Sequence, residues 1–292
     1  MFKVPVTFLF DFEHTSDAMR PYIMHEFAAN GAKHLVLTDT LISMVMQNPG
    51  LSSQLQKEVA SFGLTFVDAH APFGPALDLI CPDPASRRTG ALRRKLAFNI
   101  AADLGVDTIA VHVGNDNCVL DQSIERSMEL IASALDDAIT EAEKLNIVIA
   151  IENIWFRTNT PERLLELKAK FPSEFLGFCY DSGHANLMDK GRHYPDGAAR
   201  AAWNAVGVAE PPWENQALEK MLPHIVNCHL HDNDGATDQH RNIGHGNIDW
   251  KHTIGLLKTA PRLKNIQSEV IPLRTSTPIR EVCEAFQKLE TL

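Results

Sequence analysis

The chain has 292 residues, 45% of them hydrophobic, which is enough for a large core in a single domain. Its 27 basic and 37 acidic residues leave a formal charge of -10, which argues against a general polyanion binder. Five scattered cysteines (Cys81, Cys118, Cys179, Cys228, Cys283) with no C-x-x-C pair point to a reducing compartment and to thiols that act as small core residues. No apolar run reaches the ~18 residues of a membrane span. The first residues lack the basic-then-apolar pattern of a signal peptide, so a soluble, cytoplasmic protein is expected.

Apolar strand-like runs alternate with helix-like segments along the whole chain. Strands are predicted at 6–10, 34–38, 64–69, 108–111, 147–151, 176–180, 225–230 and 266–268. Helices are predicted at 16–29, 51–62, 84–104, 121–145, from 161 onward, and at 277–288. Gly63 and Gly105 stand just past two of the helices, and Thr160-Pro161 carries a start signal with Thr160 as the cap. Residues 191–213, with adjacent prolines at 211 and 212, are the least regular part and are expected to form an excursion over the site. Arg87-Arg88 and Arg93-Arg94-Lys95 fit the solvated face of a helix.

Several strand candidates are apolar on both faces, as in a parallel sheet buried on both sides. Eight such units in under 300 residues, with no linker or low-complexity tract, predict an α/β fold, a (β/α)8 TIM barrel, as one domain spanning 1–292.

The residues that could do chemistry share a position. His70, His112, Glu152, Asp181, His229 and Glu269 each stand at the C-terminal end of a different strand candidate, and in a barrel those ends form one rim. The segment from Val226 to Gly235 runs from a strand into a loop where His229, His231, Asp232, Asp234, Asp238 and His240 crowd together. Unpaired imidazoles and carboxylates in a buried strand carry a desolvation cost, which a divalent cation would offset. Each residue also has a plainer reading. Glu152 could be a solvated carboxylate, Asp181 could simply cap the helix that carries His184, and the Asp238-Gln239-His240 loop could be solvated. His231 shares the parity of His229, so one could be a ligand and the other its support. A mixed set of oxygen and nitrogen donors suits Mn, Zn, Co or Mg, and the sequence does not choose among them.

These residues resemble the xylose isomerase-like TIM barrel superfamily, which includes sugar epimerases, inositol-catabolism enzymes and endonuclease IV. The resemblance spans nearly the whole chain. It rests on His70-Ala71-Pro72, Val111-His112-Val113-Gly114, Ile151-Glu152-Asn153, Asp181-Ser182-Gly183-His184, His229-Leu230-His231-Asp232, 244–250 and Glu269. The epimerase branch implies a divalent metal held by Glu152, Asp181, His229 and Glu269, with Glu152 and Glu269 also acting as acid and base on a sugar, sugar phosphate or polyol. It implies that His70, His112 and His184 face substrate and that Arg241 steadies the anion, although in that branch the arginine follows the histidine more closely than Arg241 follows His229. The endonuclease IV branch implies zinc-dependent cleavage of abasic DNA. Its nine ligand types all have counterparts here, adding His70, His112, His184, Asp238 and His240 to the four above. The Asp-Ser-Gly-His-Ala-Asn motif and the acidic balance favour the sugar branch, so nucleic acid is not the expected partner. A barrel that kept its metal without catalysis would have no need of both glutamates. The resemblance admits a homo-oligomer without requiring one.

Overall fold

Strands that are apolar on both faces need cover on both faces, and closing the sheet on itself supplies it from within. The computed structural model describes residues 2–292, and its eight parallel strands close into a barrel in chain order. The strands are β1 (Val6–Phe8), β2 (His34–Leu37), β3 (Thr65–His70), β4 (Thr108–Val111), β5 (Val148–Glu152), β6 (Leu176–Asp181), β7 (Ile225–Leu230) and β8 (Ile266–Ser268). The connecting helices form the outer ring, beginning with α1 (Arg20–Ala29), α2 (Asp39–Gln47), α3 (Leu51–Ser61), α4 (Pro84–Asp103) and α5 (Ile124–Leu145). The ring continues with α6 (Pro161–Lys170), α7 (Ser182–Lys190), α8 (Ala198–Ala205), α9 (Ala217–Met221), α10 (Trp250–Leu257), α11 (Pro272–Thr275) and α12 (Ile279–Leu289). No helix among the described residues is long and apolar enough to cross a membrane.

The largest core lies between sheet and helices. Phe8 on β1, Phe27 on α1 and Phe286 on α12 pack with ring centroids 5.7 Å apart, which ties the first and last helices to the first strand. The sequence reading differs from the structure in several places. The first helix begins at Arg20, four residues late, because residues 13–19 turn before it. The segment after β2, assigned no element from the sequence, is helix α2, capped by Thr38, whose hydroxyl accepts the Leu41 N–H. Thr160 does precede α6 but makes no side-chain capping bond, so Pro161 in the first turn is what favours the start. Arg94 is buried rather than solvated, with Nη1 donating to the Leu77 carbonyl.

The barrel interior is unusually polar. Thr7 pairs with Gln267, and Gln267 with His229, so these inward side chains share a level across β1, β8 and β7. The Thr7 hydroxyl donates to Asp68 Oδ2 at 3.0 Å and Asn227 Nδ2 donates to the same oxygen at 3.4 Å, while Asp68 Oδ1 has no partner. Burial pushes the Asp68 carboxyl up to about 7, against the pull of His229 and these two hydrogen bonds. A folded-state value above the unfolded one means that protonated Asp68 stabilises the fold, and that this stability is lost as pH rises from about 4 through about 7. Asp68→Asn should therefore gain up to about 4 kcal/mol over the metal-free wild type at pH 8 and little at pH 4. Urea denaturation of chelator-treated protein at both pH values checks this, and parallel pH profiles for the two proteins would count against it.

Candidate metal centre

The two-residue period of a strand sends alternate side chains into the barrel, and the sequence places a donor at the last inward position of five strands in a row. His70, Glu152 and Asp181 end β3, β5 and β6, His112 follows β4 by one residue, and His229 lies one residue before the end of β7. Glu269 follows β8 directly. These six converge as the sequence predicts. Glu152, Asp181, His229 and Glu269, all buried, offer donor atoms that lie within 4.8 Å of one another. His229 Nδ1 is 3.2 Å from Glu269 Oε1 and 3.4 Å from Glu152 Oε2. Glu152 Oε2, Glu269 Oε2 and His229 Nδ1 nevertheless have no hydrogen-bond partner. Buried polar atoms left unpaired are costly, and a donor set that points at one shared space is what a divalent cation requires.

Three further histidines are held as ligands are held. His70 Nδ1 lies 2.9 Å from the Ala71 carbonyl, His184 Nδ1 2.9 Å from the Asn153 carbonyl, and His240 Nδ1 2.8 Å from the Glu269 carbonyl. A carbonyl can only accept, so each Nδ1 carries the proton, and in the neutral ring Nε2 keeps its lone pair. Those Nε2 atoms face the mouth. That of His70 is 3.2 Å from His112 Nε2, and those of His240 and His184 are 2.8 and 3.7 Å from Asp238 Oδ2. All nine donors of the endonuclease-type pattern are thus assembled. Asp181 caps α7 through Oδ1, which accepts the His184 N–H at 2.6 Å, and its carboxylate also lies among the clustered donors.

The fields follow from the crowding. Burial opposes ionisation of Glu152, yet His229, His112 and His184 hold its carboxyl well below the usual range. Glu269 and Asp238 are likewise held low against their burial, Glu269 by His229 and His240, Asp238 by His184 and His240. Asp181 is pushed up, because burial outweighs His184 and His231. The rings of His229 and His184 are pulled well above the ordinary imidazole value against their own burial, His229 by Cys179, Glu269 and Glu152, and His184 chiefly by Asp181 and Asp238.

A family model described as the xylose isomerase-like TIM barrel matches residues 43–266, most of the chain. The chain belongs to this family. It is 28% identical over 171 residues to the uncharacterized protein y4fM of Sinorhizobium fredii, a match covering 56% of this chain and 47%, just under half, of that one. Its structure superposes on a D-tagatose 3-epimerase-like protein with a TM-score of 0.74 at 21% identity, over 98% of this chain and 96% of that one. It also superposes on the IOLI protein crystallised with a zinc atom, with a TM-score of 0.70 at 15% identity, over 99% and 97% of the two chains. At these identities the structural matches speak to the fold alone.

Above the donors, this xylose isomerase-like barrel opens into a cavity of about 610 Å3. Phe73, Trp155, Phe156 and Ile271 wall it, and His70, His112, His184, Asp238, His240 and Glu269 reach it from below. The wall is braced from behind. Arg157 pairs with buried Asp116 at 2.5 Å, and the Thr158 hydroxyl donates to the Gly114 carbonyl, which pins the loop after β5 to the loop after β4. The expected excursion over the site is not observed. Residues 191–213 pack outside, where Trp203 Nε1 donates to the Trp155 carbonyl, because their apolar side chains join Leu187 and Met188 of α7. Arg241 does not reach the mouth either. The loop after β7 folds back so that Arg241 pairs antiparallel with Asp232, and its guanidinium turns to Asp234 and the His245 carbonyl. The cation that lines the mouth is Arg274, on the short helix α11 after β8, a residue no spacing argument singled out.

Asp232 proves to be the organiser of the β7 loop. Fully buried, it accepts the N–H groups of Asn233 and Gly244 and the Trp250 indole N–H, and so holds in place the loop that carries Asp238 and His240. His231 stacks on His240 with centroids 4.0 Å apart, and its Nε2 lies 3.2 Å from Asp181 Oδ2. Its ring rests on Gly183, where a Cβ would lie 2.0 Å from the ring. Gly183→Ala should therefore displace His231 and lower divalent-metal affinity by about tenfold or more, although alanine favours the helix. Titration against a chromogenic chelator measures it, and unchanged affinity would exclude His231 as the support of Asp181. Because the His229 and His184 rings are pulled well above the ordinary imidazole value, metal binding should release protons, and affinity should rise from pH 6 to pH 8. Calorimetry in two buffers of different ionisation enthalpy reads the proton count directly.

Proposed function

We propose that the chain is a divalent-metal-dependent isomerase or epimerase that removes a proton from a carbon of a sugar or polyol and returns it to the same carbon or its neighbour. The observation that carries this reading is the pair of buried glutamates from β5 and β8, Glu152 and Glu269, which flank His229 beneath an aromatic-walled cavity sized for a small molecule. The likeness to a D-tagatose 3-epimerase-like protein fits it.

Glu152, Asp181, His229 and Glu269 would hold the cation, which could be Mn, Zn, Co or Mg. When bound, it would polarise a substrate carbonyl and the neighbouring hydroxyl and so acidify the C–H between them. Glu152 and Glu269 are both held in the charged form by their histidines, so either can act as the base. One glutamate removes the proton to leave an enediolate, and the other, or the same one, returns it. His70, His112 and His184 line the cavity, where they would contact substrate oxygens. Phe73 and Trp155 exclude water from one side and stack edge-on or tilted against the histidine rings, with Phe73 4.5 Å from His112 and Trp155 4.9 Å from His184.

One observation favours a second reading, zinc-dependent cleavage of abasic DNA. The outlying donors His70 with His112, and His184 with Asp238 and His240, are assembled as completely as the central four. Against it stands the mouth itself, lined by Asp11, Glu13, Asp39 and Asp78 with Arg274 as its lone arginine or lysine. Duplex binding draws on many cations set against phosphates.

Solvent deuterium should enter the substrate carbon, and Glu152→Gln and Glu269→Gln should each slow that exchange by about 100-fold or more. Chelation should abolish exchange and divalent metal restore it. Full exchange in either variant removes the acid–base pair. Incision of a duplex bearing one abasic site, together with about three zinc ions per chain by elemental analysis, would transfer the assignment to the second reading.

A further inference from the structure

His229 is held differently from the other histidines of the centre. His70, His184 and His240 are anchored through Nδ1 by main-chain carbonyls and show Nε2 to the mouth. His229 is reversed. Its Nδ1 faces Glu269 Oε1 at 3.2 Å, Glu152 Oε2 at 3.4 Å and Asp181 Oδ2 at 4.0 Å. Its Nε2 is fully buried and has no hydrogen-bond partner among the described residues. A ligating imidazole is ordinarily fixed by what its second nitrogen donates to, and here no carbonyl of the main chain does that work.

The side chain beside it is Gln267. β7 pairs His229 with Gln267 and β1 pairs Thr7 with Gln267, so Gln267 stands between the two inside the barrel. It is fully buried, and neither Oε1 nor Nε2 has a partner. Next to Thr7, Asp68 takes the Thr7 hydroxyl and the Asn227 amide on Oδ2 and leaves Oδ1 unpaired. Four unpaired atoms of three neighbouring residues thus alternate in kind. With a cation on Nδ1, His229 Nε2 carries hydrogen and can only donate, and a carboxylate oxygen of Asp68 only accepts. A primary amide offers an acceptor to the first and a donor to the second. Buried polar atoms are nearly always paired, and this assignment pairs all four. The Cys179 thiol also approaches His229, but a neutral thiol is a weak acceptor.

We infer that Gln267 is the positioning residue of the metal centre. Its Oε1 accepts the His229 Nε2–H and its Nε2 donates to Asp68 Oδ1, a relay that Thr7 and Asn227 hold from the far side of Asp68. The relay fixes the ring so that the Nδ1 lone pair points between Glu152 and Glu269. The polar interior of the barrel is then the foundation of the centre above it. This rests on the reading that His229 helps to hold the cation, whereas the pairing of Gln267 with His229 can be read without metal.

The test combines zinc affinity, by competition with a chromogenic chelator, with two-bond proton–nitrogen spectra of the imidazoles in the full chain. In the zinc-loaded wild type, His229 should carry its hydrogen on Nε2, and that N–H should exchange slowly with solvent. Gln267→Leu should weaken zinc binding by about tenfold or more and abolish the slow N–H. The double variant Asp68→Asn, Gln267→Glu exchanges amide and carboxylate, so His229 keeps an acceptor and the two positions keep one bond between them. It should return zinc affinity to within about threefold of the wild type and restore the slow N–H. A His229 ligated through Nε2, unchanged affinity and N–H in Gln267→Leu, or loss of the N–H in Cys179→Ala instead, overturns the inference. Should Gln267→Leu not fold, the double variant decides, and a weak site without the slow N–H overturns it. If the wild type binds no zinc, the metal reading fails, while a slow His229 Nε2–H lost in Gln267→Leu still upholds the relay.

Discussion

Four imidazoles surround one carboxylate. His70, His112, His184 and His229 each bring a ring nitrogen to between 3.1 and 3.7 Å of a Glu152 oxygen, at the end of the central strand of the chain. Glu152 is fully buried, so its charge has almost no water to rest on, and the surrounding rings keep it ionised. Those rings in turn are oriented by backbone carbonyls, at Ala71 for His70 and at Asn153 for His184. The barrel thus holds a charged acceptor cluster rigidly by main chain, where a loop-built site would have to pay in ordering entropy for the same alignment.

Support for this arrangement extends well outside it. Asp232 shapes the β7 loop, Gly183 gives the His231 ring room beneath Asp181, and the Asp116–Arg157 pair with Thr158 braces the aromatic wall. Polarity also reaches downward, where Thr7, Asp68, Asn227 and Gln267 take inward positions that large aliphatic side chains usually fill in such barrels. The interior therefore contributes less to stability than the shell between sheet and helices, where the Phe8–Phe27–Phe286 cluster sits. Stability and chemistry are separated by layer as well as by end.

Carboxylates line the mouth on every side, Asp11, Glu13, Asp39 and Asp78 after the first three strands and Asp238 and Glu269 after the last two, with Arg274 among them. Arg241 is folded away from the mouth by its pairing with Asp232, which sets it beside Arg274 instead. A substitution pattern read along the chain would assign the two arginines to unrelated loops.

The sequence by itself determined the strand count, the barrel and the six rim donors, since a two-residue period and a polar residue at each strand end are local properties that survive any packing. It also left Asp181 with a cap and a ligand role as compatible readings, and the structure shows the cap with the carboxylate among the clustered donors. What remained open were questions of direction: where the 191–213 segment packs, which way Arg241 turns, that Arg274 reaches the cavity, that α2 forms, and that Arg94 is buried. Only the tertiary structure decided these, because a loop or a long side chain takes its direction from the surfaces that receive it, and those surfaces are assembled from strands distant in the chain.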